Sequence, residues 1–163
     1  MVAPGPPRTD RLLHEHIHDT YKLRHKFPEP TVCPVCNAVF QNGRWRWAES
    51  WPIEAHREMC EACRRIKDQY PAGQVTLKGG AIKGRKTEIL NLVRNLEKLE
   101  SAEHPLHRIM KIEERPHRVV ISTTDLHLAR RIGEAVCHAH KGRLDWDYNK
   151  EACYVRVNWT SDY

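Results

Sequence analysis

The chain has no run of about eighteen apolar residues, so none of its 163 residues lies in a segment able to cross a bilayer as a helix. Its start, MVAPGPPRTDR, has no apolar core of the kind a secretory signal needs, and a cytoplasmic location is the expectation. Catalytic patterns are missing as well. No Ser-His-Asp order and no paired-carboxylate arrangement stands out, so the expectation is a non-enzymatic protein without a small-molecule substrate. The nearest approach to a nucleotide-binding loop is GGAIKGRKT, residues 79–87. A Walker A loop needs G-x-x-x-x-G-K-[ST]; Gly79 and Gly84 have that separation, but Arg85 intrudes before Lys86-Thr87. QVTLKGGAIKGRK reads instead as a strand and a basic, glycine-bearing linker, either plainly flexible or able to lie against phosphates.

What the chain does have is cysteine in a telling pattern. Of its six cysteines, four form two C-x-x-C pairs, Cys33 with Cys36 and Cys60 with Cys63, separated by twenty-three residues. In a reducing compartment such pairs are more informative as metal ligands than as disulfides. A tight bend lets both sulfurs of each pair reach one tetrahedral ion, and four thiolates are the donor set of a structural Zn2+. Iron takes the same ligands. A thioredoxin-type redox pair would leave the second C-x-x-C unexplained and requires a preceding strand that is not evident. With four cysteines filling the shell, the metal has no free position at which to activate water. After Cys36, Asn37 stands where many metal knuckles have glycine, and asparagine also tolerates a left-handed backbone.

Net charge is +6 and unevenly spread. Residues 33–86 hold ten Lys/Arg against five Asp/Glu, whereas residues 87–163 hold twelve of each. Four thiolates on a divalent ion would remove two of those positive charges and leave a basic face suited to a polyanion. FQNGRWRWAESW carries the hairpin cue Asn42-Gly43, so Arg44 and Arg46 should point one way and Trp45 and Trp47 the other. Either the tryptophans cover the metal and pack on the next domain, or one stacks on a base while the arginines hold phosphate. CEACRRIKDQYPAG reads as a helix starting at the second pair and stopped by Pro71 and Gly73, adding Arg64, Arg65 and Lys67 to the positive face; Lys83, Arg85 and Lys86 extend it. Knuckle, hairpin and helix together make a treble-clef or zinc-ribbon module.

From Thr87 the pattern is that of an α+β domain. Ile89, Leu92, Val93, Leu96 and Leu99 recur at helical spacing. HRIMKIEE and HRVVISTT read as strands, and DLHLARRIGEAVCHAHKG as a helix capped by Thr124 or Asp125 and ended by Gly142. RLDWDY and ACYVRVNW alternate as two further strands, with Cys153 on the apolar stripe of the second. The order αββαββ predicts a four-stranded antiparallel sheet with helices on one face. Cys137, His138 and His140 form a Cys/His group without an obvious fourth ligand. The chain thus divides into an extended, basic and His-rich tail over 1–30 (His14, His16, His18, His25), a four-cysteine zinc module with basic linker over 31–86, and the α+β domain over 87–163.

TVCPVCNAVF, CEACRRIKDQYPAGQVTLKGG, EILNLVRNLEKLESAEHPLHRIMKIEE, TTDLHLARRIGEA and VRVNW resemble a family of small bacterial zinc-ribbon proteins of uncharacterised function, from about Arg11 to Trp159. That family is similar to the N-terminal zinc region of the archaeal and eukaryotic large-subunit export adaptor (the Nmd family). The resemblance implies one structural Zn2+ on Cys33, Cys36, Cys60 and Cys63 and binding to the large ribosomal subunit near a tRNA site. It implies no transport between compartments, because the adaptor's later domains have no counterpart here. The expectation is therefore a monomeric, ribosome-associated rRNA-binding protein acting in assembly or dormancy. The competing reading is a DNA-binding zinc-finger transcription regulator, which predicts a dimer and a helix with base-reading side chains.

Overall fold

A computed structural model describes Tyr21 and residues 26–163. The calls made on the N-terminal tail, its four histidines included, fall outside these residues. The first part of the chain forms β1 (Thr31–Val32), β2 (Val39–Gln41), β3 (Arg44–Arg46), β4 (His56–Arg57) and helix α1 (Glu61–Asp68). The strands make a small sheet in the order β3-β2-β1-β4, with β4 parallel to β1 and the other pairs antiparallel. The Asn42-Gly43 cue does close the β2–β3 hairpin; both residues have positive φ, 56° and 77°. Helix α1 begins where the cysteine spacing placed it. Cys60 is its N-cap, and Gln69, left-handed at φ 53°, ends it two residues before Pro71.

The second part comprises β5 (Gly73–Lys78), α2 (Gly80–Glu103), β6 (Ile109–Glu114), β7 (Arg118–Thr123), α3 (Leu126–His140), β8 (Arg143–Asn149) and β9 (Tyr154–Thr160). The chain is mixed α+β, as expected, but the larger sheet has five strands in the order β6-β7-β5-β9-β8 and is not purely antiparallel. β5 lies in the middle, antiparallel to β7 and parallel to β9. The expected four-stranded antiparallel sheet therefore lacks its central strand. Gln74-Val75-Thr76-Leu77 is a short apolar alternation next to the cysteine helix, and its main partner, β9, lies some eighty residues away, beyond the reach of local pattern.

The segment read as a linker is helical instead. Ala81 and Ile82 are completely buried, Gly79 sits before the helix at φ 108°, and the helix bends at Arg85 before continuing. The boundary drawn between residues 86 and 87 thus falls inside α2. Strand β5, helix α2 and strand β6 form a split β-α-β unit: β5 and β6 run parallel, with β7 hydrogen-bonded between them.

Val75, Leu77, Val119, Ile121, Val155, Val157 and Trp159 point from this sheet toward the helices, which contribute Ile82, Ile89, Val93, Leu128, Ile132 and Val136. Two sequence assignments shift. Leu99 is 71% exposed and Leu90 is in the core, because at 3.6 residues per turn the buried side of α2 runs through Ile89, Leu90 and Val93 to Glu100 and leaves Leu99 off it. Cys153 is buried, but in the β8–β9 turn at φ 48° rather than on the strand. Asp125 is the cap of α3, accepting from the Leu128 N–H at 2.9 Å. Gly133 lets α3 approach the sheet; a Cβ there would lie 2.4 Å from Val157 Cγ1.

A four-cysteine candidate metal centre

The first pair of cysteines is carried by the turn between β1 and β2. The Cys33 N–H donates to the Ala38 carbonyl and the Asn37 N–H to the Cys33 carbonyl, both at 2.9 Å. Asn37 adopts φ 66°, the left-handed conformation its position after the second cysteine demands. The second pair is carried by the start of α1, where the Cys63 N–H donates to Cys60 Sγ at 3.4 Å. The two halves meet through Cys60 N–H, which donates to Cys33 Sγ at 3.4 Å. All four sulfurs lie within 4.8 Å of one another, Cys36 and Cys60 being 3.8 Å apart, and all six cysteines of the chain are free thiols. Cys33, Cys60 and Cys63 are buried and Cys36 is half-buried. Four sulfur ligands converging on one point, with amide donors around them, can hold a metal ion.

The thiols are electrostatically unequal. The Cys60 thiol against Cys36 Sγ, joined by the Ala38 N–H and the charge of Arg108, draws Cys36 well below the ordinary thiol value, against the cost of its burial. That same contact and burial push Cys60 up, and burial pushes Cys63 up. Metal binding must therefore displace protons from buried thiols, and it gains from every fixed donor that favours thiolate.

Such a donor comes from a residue that cysteine spacing could not reveal. Arg108, just before β6, aims its guanidinium at three of the four sulfurs: Nη1 is 3.4 Å from Cys63 Sγ, and Nη2 is 3.3 Å from Cys60 Sγ and 3.6 Å from Cys36 Sγ. It lies 45 residues beyond Cys63, inside a segment that reads as an ordinary strand. Its Nε donates to the Pro105 carbonyl at 2.8 Å.

The basic and aromatic residues do not gather into one surface. Arg44 and Arg46 are exposed on β3, and Arg46 donates to Gln41 across the hairpin. Trp45 faces the other way, packed with Phe27 and Phe40 at centroid distances of 5.2 and 5.5 Å and against the cysteine cluster. Trp47 remains 43% exposed, and its indole N–H donates to the Ser101 carbonyl of α2 at 2.6 Å. The tryptophans thus cover the cysteines and dock on the second domain.

On α1, Lys67 is exposed, whereas Arg64 is tied to Glu58 at 3.0 Å and to the Met59 carbonyl. Arg65, expected on the open basic face, is 4% exposed: its guanidinium lies 4.4 Å above the Tyr21 ring and donates to the Tyr70 carbonyl. An eight-residue helix anchored by two cysteines has most of its residues near a neighbour, and Arg65 falls on the covered side. Lys83 and Arg85 are exposed at the N-terminal end of α2, and Lys86 donates to the Arg115 carbonyl. They lie roughly 25 Å along that helix from Ser101, the Trp47 contact.

Cys137, His138 and His140 do not converge. The Cys137 thiol turns to the Gly142 carbonyl, while His140 is buried with Nε2 at 4.0 Å from Glu88. The four cysteines are the one metal-competent group of His, Cys, Asp and Glu side chains among the described residues. No helix among these residues is long and apolar enough to cross a membrane. Compared with protein-family models, curated proteins and solved structures, the chain matches none.

Proposed function

We propose that the chain is a non-enzymatic, zinc-stapled RNA-binding protein that associates with the large ribosomal subunit. The observation that carries this reading is the closed four-sulfur cluster placed directly beneath a hairpin whose outer face presents Arg44 and Arg46. A four-thiolate site suits Zn2+ in a treble-clef or zinc-ribbon setting and leaves the ion no open position for chemistry. Its role is then to hold the hairpin and α1 in place.

Arg44, Lys67, Lys83 and Arg85 pair with no acidic group among the described residues, which leaves them available to phosphate. Two separated basic regions suit an extended, folded RNA surface better than one groove of a duplex. Helix α1 is a poor DNA-recognition helix: it has eight residues, Arg65 is turned inward and Arg64 is held by Glu58.

Co-sedimentation with ribosomal particles on sucrose gradients at low and high salt tests the proposal. Migration with the large subunit that is lost as salt rises supports it; a protein that stays at the top of the gradient at every salt concentration overturns it. Elemental analysis of the purified protein decides the metal, with one zinc per chain expected.

A further inference from the structure

The Arg108 fork is fixed by contacts of its own. Its backbone is pinned on both sides by Thr124, at the end of β7: the Arg108 N–H donates to Thr124 Oγ1 and the Thr124 N–H to the Arg108 carbonyl, both at 2.9 Å. Its Nε is held by Pro105, so the two terminal nitrogens alone remain, and both point at sulfur. The approach to it is braced in turn. His107 lies between Glu100 and Asp125, at 3.3 and 3.5 Å, and the Ile109 N–H donates to Glu97 Oε1 at 2.7 Å. Three elements of the α+β unit, α2, β7 and the start of α3, thus fix one cation against a cluster that belongs to the other part of the chain.

Four thiolates around a divalent ion carry two net negative charges in a largely buried site, and a lone buried charge of that kind is costly. We infer that Arg108 is the counter-ion and positioning residue of the metal centre, its guanidinium binding three ligand sulfurs and so making metal retention depend on the α+β unit. Neutralising half of the excess charge stabilises the loaded site. The N–H···S bonds also draw electron density from the sulfurs, which slows their protonation and the departure of the metal. The coupling is reciprocal: what the guanidinium contributes to holding the metal, the metal contributes to holding residues 104–109 against the cysteine module. This inference rests on the reading that the cluster holds a metal.

The test compares the full-length parent with R108A and R108K, each loaded with Co2+ and then with Zn2+. Chelator competition should show zinc held roughly 10- to 100-fold more weakly by R108A. R108K should fall between, because an ammonium keeps the charge but cannot span three sulfurs. In the cobalt-loaded proteins, the thiolate-to-metal charge-transfer band should shift to lower energy in R108A, as sulfurs without N–H donors are easier to oxidise; general destabilisation does not move that band. An R108A protein equal to the parent in zinc retention and band position overturns the inference and leaves the metal reading intact. If R108A does not fold, R108K decides by the same two readouts, weaker retention supporting the inference and parental behaviour overturning it. A parent that takes up no cobalt or zinc overturns both.

Discussion

Cys60 does three things at once: its sulfur caps α1 by accepting from the Cys63 N–H, the same sulfur belongs to the cluster, and its N–H donates to Cys33 Sγ. Serine at this position keeps a capping oxygen but not a good metal ligand, so C60S tests the cluster with the cap retained. We expect it to lose the metal and several kilocalories of stability, read as a fall in the melting temperature that added zinc does not reverse. A C60S protein that melts like the parent and still holds zinc would disprove the four-sulfur site. Gly133 is the equivalent point in the α+β unit. Alanine there gains up to about 1 kcal/mol of helix propensity but must enter a space already filled by the stiff, fully buried Val157. Overpacking costs about 1–3 kcal/mol, so G133A should be destabilised on balance, and a raised denaturant midpoint would contradict the packing described.

His107 adds a pH dependence. Burial, chiefly, holds its imidazole below the ordinary 6.5, against the pull of Asp125 and with help from His104 and His127. The unfolded chain takes up the proton first, so this contribution is complete above about 6.5 and is lost as pH falls toward the folded value. Melts recorded between about pH 7.5 and 5.5 should therefore show a steeper loss for the parent than for H107Q, and parallel curves would contradict it.

The β2–β3 hairpin and α1 were legible because their signals are local. Asn42-Gly43 specifies the turn and alternation sets which side chains share a face, while the second cysteine pair followed eight residues later by Pro71 bounds the helix. What each face meets was not legible. Trp45 is enclosed by Phe27 and Phe40, and Arg65 by Tyr21, contacts that depend on Tyr21 and Phe27, ahead of β1, coming back against the hairpin and α1. The hairpin is where the RNA proposal is most exposed to test. If Arg44 and Arg46 each neutralise a phosphate, the double variant R44A/R46A should lower the slope of log affinity against log salt by roughly 1.5 to 2 on ribosomal particles. An unchanged slope would take the hairpin out of the interface. W47A should weaken binding less steeply with salt, since an exposed ring contributes stacking rather than charge.

For the whole molecule, the two cores are of different kinds. One is a continuous apolar core between the five-stranded sheet and the helices α2 and α3; the other is divided between a handful of small residues around four sulfurs and the cluster of Val32, Val39 and Ala55. Removing the metal with a chelator should therefore release residues 31–63 to rapid amide exchange while β5, β7 and β9 stay protected. Uniform loss of protection would mean that the two cores form one cooperative unit.

The sequence by itself determined which four cysteines come together, because two C-x-x-C pairs are a statement about spacing. It likewise determined α1, α3, the β2–β3 and β6–β7 hairpins and the alternation of β8 and β9, all encoded within a dozen or so residues. Only the tertiary structure decided that Gly73–Lys78 is the middle of the larger sheet, that GGAIKGRK begins a helix, and that Arg108 rests on the cysteines. Those outcomes depend on pairings between residues far apart in the chain, whose free energy comes from burying a shared surface rather than from any local preference.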